Sequence, residues 1–319
     1  MAEIGTDIQQ AKSLLEAGEL VAIPTETVYG LAGNALNAAA VARIFQVKNR
    51  PQFDPLIIHV PDILAAKEYV TEIPEKAHLL AKHYWPGPLT LLLKKKNVIP
   101  DLVTAGLDTV GIRCPNHTLT QELLKSLSFP LAAPSANPFG YVSPTTPEHV
   151  NEQLGNNILY ILDGGNCEIG IESTIVGFEQ ETPVIYRMGG LSVEVIEALI
   201  GKVSIQTYSA SDPKSPGQLQ SHYAPGKKVI IGKMEELLQL YPAHCSGLLT
   251  FQSDFNSPFQ YVLSPSGSLT EAAQNLFSAL RSFDKMPIDV ILTELVPDQG
   301  IGRAINDRLR RAAATAPPL

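Results

Sequence analysis

Two threonine hydroxyls, a carboxylate and a phenol lie within five positions, in the run Thr25-Glu26-Thr27-Val28-Tyr29. The run directly follows Leu20–Ile23, a short apolar segment typical of a buried strand. Open α/β sheets bind ligands just outside the carboxyl ends of their strands, so this cluster could offer hydrogen bonds to a small polar ligand. The same hydroxyls could instead satisfy their own backbone in a tight turn. The run alone favours neither interpretation.

Arginine is scarce in the first 205 residues, where it occurs only at Arg43, Arg50, Arg113 and Arg187. Arg43 lies within a predicted helix, whereas the other three lie at or near the ends of predicted elements. Guanidinium groups bind carboxylates and phosphates in a two-pronged geometry. Each could instead form a surface salt bridge, but together, among serines, threonines and a histidine at similar positions, they favour an anionic ligand. We expect Arg50, at a helix end, to lie outside the core.

These side chains must be positioned by the predicted alternation of strands and helices. Asn37 can cap a helix over Ala38–Asn49, which Pro51 would stop. Because strands are many and helical connectors few, we predict an α/β fold with a twisted mixed sheet rather than a strictly doubly wound parallel sheet. His59 should face opposite to its apolar neighbours in its strand. The later strands of this domain are predicted at Leu56–Val60, Leu89–Leu93, Val110–Arg113, Leu131–Ala133, Leu159–Leu162, Thr174–Phe178 and Pro183–Tyr186.

The chain divides at a segment without hydrophobic periodicity. We predict a first domain over residues 1–205, a linker rich in Ser, Pro, Gly and Gln over 206–228, and a small Rossmann-like α/β domain over 229–319. In the last domain, Ser268-Leu269-Thr270-Glu271 is a capping box that should open a helix to about Asp284. The arginines near the end are assigned to the solvated face and last turn of a helix: Arg303, Arg308, Arg310 and Arg311.

Composition argues against two classes of protein, tight nucleic-acid binders and membrane-spanning proteins. The chain has 24 basic and 32 acidic residues, a net charge of −8, which argues against tight binding of a nucleic-acid backbone but leaves room for a local basic pocket. Three widely spaced cysteines fit a reducing compartment. No apolar stretch reaches the ~20 residues of a membrane span. We therefore expect a soluble, cytoplasmic protein. The sequence has no P-loop and no dinucleotide glycine fingerprint, so side chains would have to hold any ATP phosphates.

Seven segments, taken in their order, resemble the YrdC-like family of L-threonylcarbamoyl-AMP synthases. They are Pro24–Leu31, Lys48-Asn49-Arg50-Pro51, Leu56–Val60, Thr109–Cys114, Ala133-Pro134-Ser135-Ala136-Asn137, Glu172-Ser173-Thr174 and Tyr186-Arg187. The linker run His222-Tyr223-Ala224-Pro225 resembles that of the two-domain branch of the family. The resemblance covers nearly the whole chain and is strongest over residues 20–190. It implies a YrdC-like fold for the first domain.

The resemblance also implies a nucleotide site beside an amino-acid pocket. The implied ATP contacts, of which Lys48 and Arg50 would be the catalytic cations, are Lys48, Arg50, Asp54, Thr109, Ser135, Asn137, Ser143, Arg187 and Tyr223. Arg113 would pair with the carboxylate of threonine, in a pocket formed by Thr27, His59, Arg113, Ala133 and Ser173. Asp54 stands where the family usually has asparagine, which puts an extra negative charge near the phosphates. Glu26 and Glu172 are expected to be salt-bridged or solvent-facing rather than acid–base catalysts.

The position of Tyr223 in the linker suggests that the linker folds over the site as a lid. Gly217, with prolines on both sides, suits a hinged but stiff strap. Under this interpretation, ligand binding rather than core packing orders the strap. A chain cut after about residue 205 should then fold yet lose most activity, and one cut just after Lys228 should retain substantially more. The alternative is a passive tether, which is typical of this composition.

The implied function is nucleotidyl transfer. L-threonine and bicarbonate would form an N-carboxylated threonine, whose carbamate oxygen attacks the α-phosphorus of ATP to give threonylcarbamoyl-AMP and pyrophosphate. The product would pass to proteins that build threonylcarbamoyladenosine beside the tRNA anticodon. Mg²⁺, held mainly by the ATP phosphates, is the implied cofactor. The alternatives are a non-catalytic RNA-binding or ribosome-maturation module with this fold, and a carbamoyl-transfer enzyme of the hydrogenase-maturation type, whose cysteine pairs are missing here.

Overall fold

The computed structural model describes residues 1–180, 182–207, 215–216 and 223–314. Its larger sheet has the order β1-β8-β2-β3-β7-β4-β6-β5-β9-β10-β11. The strands are β1 Glu3–Gly5, β2 Val21–Ile23, β3 Gly30–Asn34, β4 Ile57–His59, β5 Leu89–Lys94, β6 Thr109–Arg113, β7 Leu131–Ala132, β8 Tyr160–Leu162, β9 Thr174–Glu179, β10 Thr182–Arg187 and β11 Ser204–Ile205. The helices around them are α1 Ile8–Glu16, α2 Ala38–Lys48, α3 Ile63–Ala66, α4 Glu75–Tyr84, α5 Asp101–Thr104, α6 Thr118–Ser126, α7 Pro147–Leu154 and α8 Val193–Ile200.

The larger sheet is mixed, as predicted. Strand β6 runs parallel to β4 but antiparallel to β5, and β5 runs parallel to β9. Successive strand residues point to opposite faces, and one face of the central strands carries Ile58, Ile112 and Ala132 into the main hydrophobic core. The opposite face is therefore available to other groups.

Helix α2 confirms the capping prediction and sets the position of two cationic residues. The Asn37 side chain accepts hydrogen bonds from the backbone N–H groups of Ala39 and Ala40. Asn49, with φ of 50°, adopts the left-handed conformation that ends many helices. The helix end thus turns Lys48 and Arg50 toward the first domain's sheet.

The second domain is a parallel four-stranded sheet in the order β12-β15-β13-β14. Its elements are β12 Lys228–Ile231, α9 Met234–Leu240, a 3₁₀ turn Ala243–Cys245, β13 Ser246–Thr250, β14 Gln260–Val262, α10 Leu269–Phe283, β15 Val290–Thr293 and α11 Gly302–Ala313. The Ser268 hydroxyl accepts from the N–H of Glu271, which confirms the predicted start of α10. Strand β14 was not predicted, because it is short and half-buried.

The two domains share a hydrophobic core. Val28, Val142 and Tyr223 pack in one cluster with residues of α10, including the fully buried Phe277. At Gly170 the first domain comes so close to α10 that an added Cβ would lie 2.5 Å from the Cα of Gln274. The domains therefore pack directly on each other. No helix in the described parts of the chain is long and apolar enough to cross a membrane.

Candidate active site

A cavity lies against the face of the central strands that is turned away from the main core. Ile57 and His59 of β4 line it, together with Arg113, which pairs with His59 across the sheet. The empty space, including the part open to solvent, is about 590 Å³. The prediction that His59 faces away from its apolar neighbours is confirmed, since Ile58 packs in the main core. His59 and Arg113 are the last residues of β4 and β6, so the floor of the cavity includes the carboxyl ends of these two strands.

Strand ends and turns form the rim of the cavity. Residues from the turn after β2, the segment after β7, the segment before β9 and the end of β10 surround the floor: Thr25, Val28, Ala133, Pro134, Ser135, Glu172, Ser173 and Arg187. Of the two threonines in the turn, Thr25 lines the cavity, whereas Thr27 is fully buried, with its hydroxyl 2.8 Å from that of Thr25. Thr25 also accepts from the N–H of Val28. The turn interpretation therefore applies to this run, and one of its two threonine hydroxyl groups belongs to a residue that also lines the cavity.

Arg113 and Glu26 form a buried ion pair in the cavity wall. Their side chains are 5% and 3% exposed, and a terminal nitrogen of Arg113 lies 2.8 Å from Glu26 Oε2. The two groups are not aligned for a hydrogen bond, so Arg113 Nε and both carboxylate oxygens keep unused bonding capacity. Glu26 is salt-bridged, as expected. An incoming carboxylate could compete with Glu26 for the guanidinium of Arg113.

His59 is a neutral side chain in this environment. Burial, and then the positive charge of Arg113, lower the pKa of His59 to about 3. Its Nδ1 is buried without a hydrogen-bond partner. A neutral imidazole can donate to or accept from a ligand hydroxyl or amine without adding charge.

The low pKa of His59 predicts a loss of stability in acid. Between the unfolded value of 6.5 and about 3, the unfolded chain binds a proton at this site and the folded chain does not. The stability contributed by neutral His59 is therefore complete above pH 6.5 and is lost as the pH falls, by about 1.4 kcal/mol per pH unit. We expect the free energy of unfolding, measured in urea, to fall between pH 7 and pH 5 in both proteins. In His59→Gln it should fall by about 2 kcal/mol less than in the unchanged protein. Equal losses would mean that His59 is protonated in the folded state.

Arg50 is buried beside the cavity, which corrects the expectation that it lies outside the core. Its Nε donates to the carbonyl of Asp54 and a terminal nitrogen donates to that of Pro55. The same nitrogen lies 2.9 Å from a carboxylate oxygen of Asp54, whose side chain is 1% exposed. Arg50 therefore both lines the cavity and shapes the loop that follows α2. Asp54 does not line the cavity but acts on it through Arg50.

Lys48 supports the cavity wall from behind. Its ammonium donates to the carbonyls of Ser135 and Asn137, both at 2.6 Å, and the side chain is 1% exposed. Burial, together with the charge of Arg50, lowers the pKa of Lys48. Asn137 is buried in the same turn and donates to the carbonyls of Pro138 and Tyr141. Of these predicted nucleotide residues, only Ser135 lines the cavity, so Lys48 and Asn137 position the turn.

The end of β10 adds a third guanidinium. Arg187 donates to the carbonyl and the hydroxyl of Ser173, at 3.0 and 3.1 Å. The Ser173 hydroxyl lies 2.8 Å from that of Thr90. Arg187 and Ser173 both line the cavity, so this network fixes the two predicted residues with respect to each other.

Glu172 is salt-bridged, as expected, but its partner comes from the second domain. Arg308 in α11 donates through two nitrogens to Glu172 Oε2, at 3.0 and 3.1 Å, and the predicted ATP residue Ser143 donates to Oε1. Arg308 is fully buried and Arg311 is 4% exposed. The prediction that these two arginines lie on a solvated helix face is therefore wrong. The charge pattern of α11 gave no sign that one face docks on another domain.

Two residues of the linker, Pro216 and Tyr223, line the cavity. The Tyr223 ring is 1% exposed, and it stacks on Phe277 of α10 with ring centres 5.6 Å apart. The expectation that ligand rather than core packing orders this part of the linker is therefore wrong for Tyr223. Gly217 and His222 lie outside the described residues.

Thr109 is not brought to the cavity. It begins β6, whereas Arg113 ends it, and four steps of about 3.3 Å separate the two residues by roughly 13 Å. Thr109 lines a different surface depression, with Asp108 and Leu92. Thr109 is therefore not part of the cavity that contains Arg113.

Unsatisfied polar atoms concentrate around this one cavity. Buried groups in folded proteins are nearly always hydrogen-bonded, yet oxygens or nitrogens of Glu26, Asp54, His59 and Arg113 have no such partner among the residues that the structure describes. Each of these residues lines the cavity or pairs with a residue that does. The arrangement suits a polar ligand that carries negative charge and brings its own donors and acceptors.

Comparison with known proteins identifies the family. A family described as "Telomere recombination" matches residues 13–189, and one described as "Threonylcarbamoyl-AMP synthase, C-terminal domain" matches residues 191–314. Threonylcarbamoyl-AMP synthase of Pyrococcus abyssi is 42% identical over 320 residues, covering 96% of this chain and 94% of that protein. The Bacillus subtilis protein of the same name is 41% identical, covering 96% and 92%.

A solved structure shares the whole fold. The Pyrococcus abyssi Sua5 protein complexed with L-threonine has a TM-score of 0.92 and 40% identity, covering 98% of this chain and 97% of that one. The agreement extends over both sheets, which confirms the predicted fold class. The chain therefore belongs to the two-domain family of threonylcarbamoyl-AMP synthases.

Proposed function

We propose that the protein makes threonylcarbamoyl-AMP and pyrophosphate from L-threonine, bicarbonate and ATP, with the reaction taking place in the cavity. The observation that carries the proposal is the set of three buried arginines, Arg50, Arg113 and Arg187, that line one cavity together with neutral His59. A solved relative with the same fold is described in complex with L-threonine.

The chemistry needs positioning and charge stabilisation more than a nucleophile from the protein. Threonine would bind with its carboxylate at Arg113 and its polar groups near His59, Thr25 and Ser173. The phosphates would lie toward Arg50 and Arg187, whose charges stabilise a phosphorus centre under attack. A carbamate hydrolyses readily in water, so a cavity walled by buried side chains would preserve it until it attacks.

Magnesium would enter as part of the MgATP substrate. Among the described residues, no group of three or more His, Cys, Asp and Glu side chains could hold a metal ion. The chain's own contribution at the phosphates is therefore the two guanidinium groups.

Pyrophosphate release tests the proposal. We expect release only when ATP, L-threonine and bicarbonate are all present, and a large loss when any one is omitted. Release without threonine would indicate a different acceptor. No release under any condition, together with RNA binding, would favour the alternative of a non-catalytic RNA-binding module.

Replacing Asp54 with asparagine should tighten ATP binding. The Asp54 carboxylate lies 2.9 Å from the guanidinium of Arg50 and competes with phosphate for it. Removing that charge should lower the dissociation constant for MgATP by roughly tenfold, about 1.4 kcal/mol, in calorimetric titration. Asp101→Asn makes the same charge change at an exposed position and should have no effect. Unchanged or weaker binding in Asp54→Asn would show that Asp54 helps to hold the nucleotide.

We place the activity in the cytoplasm, in keeping with three cysteines that form no disulfide. The product would serve proteins that transfer the threonylcarbamoyl group to adenosine beside the anticodon of certain tRNAs. The net charge of −8 supports handing over a small intermediate rather than binding the tRNA tightly.

A further inference from the structure

A charged side chain of the second domain bonds directly to a residue that lines the cavity. Arg308 of α11 is fully buried, and its guanidinium donates to Glu172 through Nε and a terminal nitrogen. The other terminal nitrogen donates to the carbonyl of Met188, at 2.7 Å, and to the neighbouring Asp307. The guanidinium carbon also lies 5.1 Å from the centre of the Tyr223 ring. Every part of this side chain is thus directed at the first domain, the linker or its own helix.

Glu172 places a negative charge beside a cavity proposed to bind anions. Burial alone would raise the pKa of Glu172, but the charges of Arg308 and Arg187 and the Ser143 hydroxyl hold it below the ordinary value. The carboxylate is therefore ionised at neutral pH. A buried carboxylate in such a wall repels phosphate, or pairs with whichever cation it can reach.

Without Arg308, Glu172 would form an ion pair with Arg187. The charges of the two groups act on each other: burial lowers the pKa of Arg187, and Glu172 opposes that effect. Arg187 uses its Nε and one terminal nitrogen on Ser173. If Glu172 turned toward Arg187, the resulting pair would be neutral at the place where the phosphates are proposed to bind.

We propose that Arg308 is a positioning residue that holds Glu172 away from Arg187, so that Arg187 can bind the anionic part of the ligand. The inference rests on the proposed function for the identity of that ligand. The second domain thereby has a role at the cavity: the first domain and the linker carry the groups that line it, and α11 supplies the charge that keeps Glu172 from neutralising Arg187.

The test is a cycle of three variants, Arg308→Met, Glu172→Gln and the double variant, titrated with MgATP in a calorimeter. Arg308→Met should weaken binding at least tenfold, because Glu172 is released toward Arg187. Glu172→Gln should bind more tightly than the unchanged protein, because it removes a negative charge beside the proposed phosphate site. The double variant should recover that affinity, since no charge remains to neutralise Arg187. Arg310→Met, an exposed arginine on the same helix, is the matched control and should change nothing.

Recovery of affinity in the double variant, measured under conditions where urea unfolding shows that all three variants are folded, separates positioning from mere support of the fold. A purely structural Arg308 would leave the double variant as weak as Arg308→Met, and that result would overturn the inference, as would unchanged binding by Arg308→Met. If Arg308→Met does not fold, the double variant and Arg308→Lys provide the test. Wild-type affinity in the double variant together with intermediate affinity in Arg308→Lys supports the positioning role. Weak binding in both variants rejects it.

A parallel titration with inorganic pyrophosphate distinguishes failure of this inference from failure of the proposed function. If the unchanged protein binds pyrophosphate but not ATP, the nucleotide function is rejected, and the same variant cycle on pyrophosphate still decides the role of Arg308. Binding of neither anion would reject both.

Discussion

Replacing Arg113 with alanine should abolish threonine binding while leaving most of the affinity for ATP. Arg113 is buried at the cavity wall beside His59, where it faces Glu26 and is proposed to bind the carboxylate of threonine. Truncating one member of a buried charge pair at a binding site typically costs 2–5 kcal/mol. We therefore expect threonine affinity to fall at least about a hundredfold in calorimetric titration, and ATP affinity to fall less than about tenfold.

The same replacement should destabilise the fold, because it leaves the Glu26 carboxylate buried without a cation. Removing one partner of a buried pair costs about 3–5 kcal/mol. The double variant Glu26→Gln/Arg113→Ala removes that charge as well, so it should regain stability but not threonine binding. If threonine binding also returns in the double variant, Arg113 only neutralises Glu26 and does not contact the amino acid.

A chain ending at Lys228 should be as inactive as one ending at residue 205. The sequence predicted the opposite, on the assumption that the linker acts without the second domain. In the structure the Tyr223 ring, which lines the cavity, packs against both Phe277 and the guanidinium of Arg308. Removing residues 229–319 removes both supports and exposes the core shared by the two domains. Pyrophosphate release should fall at least about a hundredfold in both truncated chains, as expected when a binding wall loses its packing.

Two point variants separate this effect from general destabilisation. Phe277→Ala and Phe283→Ala each remove a fully buried ring from α10 and should each cost about 3–5 kcal/mol of stability. Phe277 stacks on Tyr223, whereas Phe283 packs against Gly247 in the second sheet. Only Phe277→Ala should weaken ATP binding, measured at a temperature where both variants are folded. Equal weakening by both would mean that the linker responds to overall stability alone. Full activity of the chain ending at Lys228 would restore the idea of an independent lid.

Local features of the fold were predictable because they depend on neighbouring residues. Asn37 caps α2 and Ser268 caps α10 where the sequence patterns indicated, since capping needs only a side chain and the next few N–H groups. The side of the sheet to which His59 points could be predicted because successive side chains in a strand point to opposite faces. The mixed character of the sheet followed from the shortage of helical connectors.

The positions of the site residues could be predicted only as a group. That Arg50, Arg113 and Arg187 meet in one cavity agrees with the ligand interpretation, but the sequence could not reveal that Lys48 stands behind a turn or that Thr25 rather than Thr27 faces the cavity. These outcomes depend on backbone direction after a strand ends. One feature of the sequence did indicate the role of Thr25. It lies two residues after β2, where its hydroxyl can accept hydrogen bonds from the next backbone N–H groups of the turn.

Contacts between the domains could not be predicted at all. A helix with Arg308 and Arg311 on it is typical of a solvated surface, and no periodicity shows that Glu172, 136 residues earlier, supplies a buried partner. The prediction that ligand binding orders the linker at Tyr223 was wrong for the same reason, because the stacking partner of Tyr223 lies in another domain.

The most direct test of the central claim is detection of the product. The protein is incubated with MgATP, L-threonine and ¹³C-labelled bicarbonate, and the mixture is analysed at once by mass spectrometry. We expect an adduct with the mass of threonylcarbamoyl-AMP that carries one labelled carbon, forms in step with pyrophosphate, and is absent when Arg113→Ala replaces the unchanged protein. Pyrophosphate release without that adduct, or an AMP adduct of threonine without the label, would contradict it.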